Sequence, residues 1–169
     1  MANNLLKGKR GVIFGALDEQ SIAWKVAERC HEEGASLTLT NAPVALRFGK
    51  IQELAEKVGG QVIGADATSL EDLTALFEQS MEILGGKLDF VLHSIGMSLN
   101  VRKSRPYTDV KYDWMQKTFD ISAISFHKMM QTLYNVDAMN DEGSILALSY
   151  IAAQRTFPDY SEMAESKAL

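Results

Sequence analysis

One cysteine, Cys30, is all the chain has in 169 residues. No internal disulfide can therefore form, and the usage fits a reducing cytoplasm. Histidine is almost as scarce. His31 and His127 fall on predicted helices with no partner at metal-ligand spacing, and His93 ends an apolar strand, where a hydrogen-bonded core histidine is the reading. No stretch approaches the roughly 18 consecutive apolar residues of a membrane-spanning helix. The lead-in from Met1 to Arg10 lacks the apolar segment of a signal peptide. Positive charge is in deficit, with 17 Lys and Arg against 22 Asp and Glu and a net charge of −5. That balance excludes nucleic acid or an anionic membrane surface as the main partner. There are no internal repeats, low-complexity segments or Pro/Ser-rich linkers. The composition left is ordinary, 46% hydrophobic and 23% charged, and the length suits one cytoplasmic domain spanning residues 1–169.

What the chain does have is rhythm. Gly11-Val-Ile-Phe-Gly15 reads as a central strand buried on both faces. Ser21 then caps a helix whose stripe is Ile22, Ala23, Val26, Ala27 and Cys30, ended by Gly34. Strands follow at 36–40, 61–65, 88–93 and 144–148. Helices are predicted after Pro43 to Val58, from Asp66 to about Leu84, and as one long element over 112–139. A loop from Ser94 to about Val110 carries Arg102, Lys103 and Arg105, read as a solvated basic cluster that could also meet an acidic carrier protein. Strand–helix alternation of this length predicts an α/β fold, a doubly wound, Rossmann-like parallel sheet with helices on both faces.

Ligands of such sheets sit beyond the carboxyl ends of the strands. The residues there are Gly15 and Ser21, Thr40 and Asn41, Asp66 and Ala67, Ser94-Ile95-Gly96, and Ser149-Tyr150. Gly15 with a helix opening near Ser21 fits a dinucleotide pyrophosphate, although the second and third glycines of the usual fingerprint are missing. Asp66 suits either an adenine acceptor or the cap of the next helix. Downstream lies Tyr150-Ile-Ala-Ala-Gln-Arg-Thr-Phe-Pro-Asp-Tyr160, then Ser-Glu-Met-Ala-Glu-Ser-Lys167. Pro158 can open a helix over 159–169. On it Tyr160 and Lys167 turn through about 700° and share a face, roughly 10 Å apart along the axis. A phenol gives up a proton when a neighbouring ammonium stabilises the phenolate. The same spacing also suits a surface tyrosine and a solvated lysine.

Taken together, Gly15 with Ser21-Ile-Ala23, Asp66, His93-Ser-Ile-Gly96, and Ser149-Tyr150 with Tyr160-x6-Lys167 resemble the bacterial enoyl-acyl-carrier-protein reductases. These are a divergent branch of the short-chain dehydrogenases/reductases, and the resemblance runs along all 169 residues. It implies reduction of a trans-2-enoyl thioester on acyl-carrier protein, in fatty-acid elongation, by an NADH-dependent homotetramer, with NADPH also possible. It implies that Tyr160 donates to the thioester oxygen, that Lys167 holds the nicotinamide ribose, and that Tyr150 lines the acyl pocket. Gly15, Ser21, Ile22, Asp66, Ala67, Ser94, Ile95 and Gly96 are implied cofactor contacts, and Ser98 lies beside the substrate. Ala42 replaces a commonly polar residue near the adenine ribose. No acidic residue marks the 2′-hydroxyl, while Arg47 is close in sequence. Family members continue through two further strands and a mobile lid, so the chain is expected to be truncated, and poorly active if it ends at Leu169. Two other readings share the fold. A carbonyl or alcohol oxidoreductase should show Tyr-x3-Lys, a spacing that this stretch lacks; a non-catalytic nucleotide-binding fragment would follow from a real truncation.

Overall fold

The computed structural model describes residues 3–155 and 157–169. Met1 and Ala2 of the lead-in and Thr156 of the closing stretch lie outside the described residues. Five strands form one parallel sheet in the order β3-β2-β1-β4-β5. They are β1 (Arg10–Phe14), β2 (Ser36–Asn41), β3 (Gln61–Gly64), β4 (Leu88–His93) and β5 (Met139–Ala147). The expected doubly wound α/β sheet is therefore present. Its first three strands run outward from β1, and the next connection returns past β1 to β4, which sets the switch point between β1 and β4.

Alternation along β1 builds two cores. Ile13 points to one face and packs with Leu37, Leu39, Leu54 and Val58 beneath α1 (Ile22–Glu32) and α3 (Ile51–Val58). Val12 and Phe14 point to the other, with Leu73, Phe77, Met129 and Leu133 beneath α4 (Leu70–Leu84) and α7 (Ser125–Asn135). Period-two side-chain direction makes this division automatic for a central strand.

Local polar chemistry redraws several expected elements. The helix after Pro43 is two helices, α2 (Pro43–Leu46) and α3, because the chain breaks at 47–50, where the Lys50 N–H donates to the Leu17 carbonyl at 2.7 Å. Asp66 does not cap α4. Its Oδ1 accepts from the Thr68 N–H and hydroxyl, and the cap is Ser69, whose hydroxyl accepts from the Asp72 N–H.

The single helix expected over 112–139 is α6 (Tyr112–Phe119), a π-turn at Asp120–Ile124, and then α7. It stops at Asn135. Asp137 takes a left-handed φ of 52°, and β5 starts at Met139, earlier than expected, with a bulge against β4 between Leu88 and Phe90. The 94–110 loop contains α5 (Leu99–Arg102) and a 3₁₀ turn at Tyr107–Asp109. The last helix, α8, covers Ser161–Ala168, so Pro158 lies outside it.

Candidate active site

The exit of β1 is shaped by a close approach. Gly15 has φ 89°, and a Cβ there would overlap the Ser94 carbonyl, so backbone from both sides of the switch point meets with no side chain between. Ser21 precedes α1, but its hydroxyl accepts from the Leu17 and Asp18 N–H groups, each at 3.1 Å, rather than capping the helix. The first turn, with exposed Ile22, thus keeps N–H groups without a side-chain acceptor, the arrangement an anionic group needs. Asn41 ties the exits of β1 and β2 together, donating to the Ala16 carbonyl and accepting from the Ala42 N–H, both at 2.9 Å. Asp66 is exposed, whereas the methyl of Ala67 is buried in the core.

At the exits of β4 and β5 a cavity of about 230 Å³ is lined by Ser94, Ile95, Gly96, Tyr150, Tyr160, Met163 and Lys167, with Leu148 and Ser149 behind. The predicted tyrosines and lysine do come together. The rings of Tyr150 and Tyr160 stack with centroids 4.9 Å apart and planes at 23°. Lys167 Nζ donates to the carbonyls of Ile95 at 2.8 Å, Leu148 at 3.1 Å and Ser122 at 3.5 Å. Burial pushes its ammonium below the usual lysine range, because the charged form loses water.

His93 lies beneath this cavity as a core residue, as its strand position implied. Its Nε2 is 2.8 Å from the Ser125 hydroxyl, which donates its one proton to the Ile121 carbonyl at 2.7 Å. His93 must therefore donate to Ser125. Burial, and then the charge of Lys167, pulls the His93 pKa down to about 4, so the ring is neutral near pH 7.

Ser98 turns its hydroxyl inward. It is buried and caps α5, accepting from the Val101 N–H at 3.0 Å, while its hydroxyl donates to Glu162 Oε1 at 2.7 Å. It is not on the cavity wall. Sequence reasoning missed Glu162 altogether. Its carboxylate is wholly buried, and Asn100 Nδ2 and Thr118 Oγ1 also reach Oε1, each at 3.0 Å. Burial alone would raise its pKa, but hydrogen bonds, with that from Ser98 the foremost, outweigh it and hold the carboxyl below its ordinary range. An acidic residue in the first turn of a helix is a readable signal; its burial is not.

Residues 15–169 match a family model described as enoyl-(acyl carrier protein) reductase. The chain is 38% identical over 168 residues to the enoyl-[acyl-carrier-protein] reductase [NADH] 1 of Rhizobium meliloti, covering 99% of itself and 60% of that relative. A solved FabI from Alistipes finegoldii is 64% identical with a TM-score of 0.96, over 99% of this chain and 64% of that one. A FabI–NADH complex from the same organism gives the same identity and TM-score. A Bacillus cereus enoyl-acyl carrier protein reductase solved with NADP+ is 30% identical at a TM-score of 0.87. The chain thus spans about 60% of the length of these relatives. With the match running from the β1 exit through Lys167, the chain belongs to the enoyl-(acyl carrier protein) reductase family.

Proposed function

We propose that the protein carrying this chain reduces trans-2-enoyl thioesters on acyl-carrier protein to saturated acyl thioesters, using NADH. One observation carries the reading: Tyr160 and Lys167 share a cavity at the carboxyl edge of the sheet, next to the switch point. Counted from Tyr160, the Tyr-x3-Lys of a carbonyl reductase of this fold would put its lysine at position 164, which is Ala, whereas the lysine seven residues on lines the cavity.

The residues present fit a dinucleotide. Gly15 lets the β1 exit approach the Ser94 carbonyl with no side chain between them, and the α1 first turn offers N–H groups to phosphate. Gly15, Ser21, Ile22 and Ala42 would hold the adenosine and pyrophosphate side, with Asp66 and Ala67 at the adenine. Ser94, Ile95, Gly96 and Lys167 would hold the nicotinamide side. NADH is favoured by the names of the relatives and by the FabI–NADH complex at 64% identity. When bound, it supplies hydride to C3 of the enoyl chain.

The chain's own residues then meet the charge that develops on the thioester oxygen. Tyr160 donates a hydrogen bond to that oxygen, as an oxyanion-hole group does. Tyr150, stacked on Tyr160, restricts the ring and forms one wall for the acyl chain. Lys167 keeps a positive charge beneath both and offers one N–H to the ribose by releasing its longest bond, that to Ser122. The finer reading is a cytoplasmic homotetramer. The apolar and aromatic residues left exposed along α6 and α7, including Tyr112, Ile124, Met130 and Tyr134, support self-assembly.

The test uses the longest natural polypeptide that contains these 169 residues. Loss of NADH absorbance on adding crotonyl thioester is expected. No consumption of NADH or NADPH by folded protein overturns the reading. Tyr160→Phe should slow turnover with cofactor affinity retained, and Lys167→Ala should weaken NADH binding.

A further inference from the structure

Tyr160 occupies an awkward piece of backbone. The residues on either side, Asp159 and Ser161, both lie in the left-handed region, at φ 61° and 43°. L-residues pay roughly 1–2 kcal/mol each for that conformation, and such pairs persist only where the surroundings over-determine them. Pro158 does not supply the constraint, because it stands outside α8. Nor does a helix cap, because Tyr160 at the N-cap makes no side-chain cap bond.

Two residues on from Tyr160, the Glu162 carboxylate does supply one. Its Oε1 accepts from Ser98 at the start of α5 and Asn100 within α5, and it shares the one hydroxyl proton of Thr118, near the end of α6, with the Trp114 carbonyl. Asn100 extends the set. Its Oδ1 accepts from the Lys111 N–H at 3.0 Å, and its Nδ2 also reaches the Lys111 carbonyl at 3.2 Å. Both ends of the 98–111 segment are therefore fastened to the first turn of α8. No lysine or arginine pairs with Glu162 among the described residues, and its Oε2 is buried without a hydrogen-bond donor. A buried, unpaired charge is expensive. Simple stability would be served better by an apolar residue here.

We propose that Glu162 is a positioning residue for Tyr160. Its buried carboxylate clamps the first turn of α8 against α5 and α6 and so fixes the tyrosine's strained backbone and the direction of its hydroxyl over the cavity. The effect on turnover rests on the reading of Tyr160 given above; the clamp itself does not.

The test again uses the longest natural polypeptide containing the chain. Glu162→Ala should lower kcat at least about tenfold, since misplacement of a reacting group by about 1 Å can cost about 100-fold, with the thioester KM changed less than about threefold. Glu162→Gln keeps a carbonyl oxygen for Ser98 and Asn100 and should lose clearly less. In a Tyr160→Phe background Glu162→Ala should cost no more than about twofold, because a residue acting through another is non-additive with it. An equal loss in both backgrounds overturns the proposal, and so does wild-type kcat in Glu162→Ala. If Tyr160→Phe alone leaves turnover intact, the catalytic reading has failed. The clamp is then judged by the ¹⁹F resonance of 3-fluorotyrosine placed at position 160. Glu162→Ala should shift or split that line, and an unmoved line overturns the proposal.

Discussion

Two regions of this molecule are closed by opposite means. Under α1 and α3 the sheet is sealed by apolar contact, with Ile13, Leu39 and Leu54 wholly buried, while pairs such as Lys50–Glu19 stay on the surface. Where α8 meets α5 and α6 the fully buried side chains are instead Glu162, Asn100 and Thr118, joined by hydrogen bonds. Dispersion and water exclusion are non-directional and tolerate adjustment, whereas hydrogen bonds fix angles as well as distances. The apolar half can serve as ballast for the fold. The polar half dictates where individual atoms lie, and the tyrosines and lysine of the cavity are found there.

Four experiments would break or sharpen this contrast. The largest effect belongs to the apolar side. Leu54→Ala should cost about 2–5 kcal/mol of unfolding free energy in urea, the range for a buried leucine, without altering the Tyr150–Tyr160 stack.

Acid should reach the two halves in different windows. The folded His93 pKa, about 4, lies below its free value of 6.5, so the unfolded chain binds the extra proton. The associated stability is complete above pH 6.5 and is lost as the pH falls toward about 4. Glu28 joins α1 to α3 by accepting from Lys57 at 2.6 Å. That hydrogen bond leads the influences that bring its pKa from 4.5 to about 2, so its contribution is lost only between those values. Urea midpoints against pH should lose the upper slope in His93→Gln and the lower slope in Glu28→Gln. An unchanged profile in either variant would remove the corresponding assignment.

Ser161→Gly relieves a left-handed residue in the polar half and should raise stability by up to about 1 kcal/mol, the glycine's unfolded-state entropy offsetting part of the gain. Its thermal midpoint is the readout. The smallest effect is Lys50→Ala, within about 0.5 kcal/mol, because exposed ion pairs contribute little.

Much of this was legible in the sequence, and unevenly so. The parallel sheet followed from apolar runs at Gly11–Gly15 and Leu88–His93 alternating with helical stripes. The convergence of Tyr150, Tyr160 and Lys167 followed from the run after Ser149 and the seven-residue spacing, even though α8 starts later than Pro158 suggested. The cut in the 112–139 helix was not legible. No glycine or proline marks it; the π-turn instead coincides with hydroxyl bonding, in which the Ser122 hydroxyl accepts from the Met97 N–H at 2.9 Å and Ser125 donates to Ile121. The inward turn of the Ser98 hydroxyl was not legible for a similar reason. A serine after a strand can face a ligand or turn inward, and only the location of Glu162 decides which.

Among the described residues, the ammonium of Lys167 rests on peptide oxygens alone, from Ile95, Leu148 and Ser122. As acceptors for the ammonium those three positions use no side chain, so the charge they present does not depend on which side chains stand there. The lysine itself has no such latitude. A planar guanidinium would direct its donors along a fixed fork and could not converge on three oxygens arranged around a single nitrogen. A scan of position 167 should therefore reject arginine along with the uncharged residues.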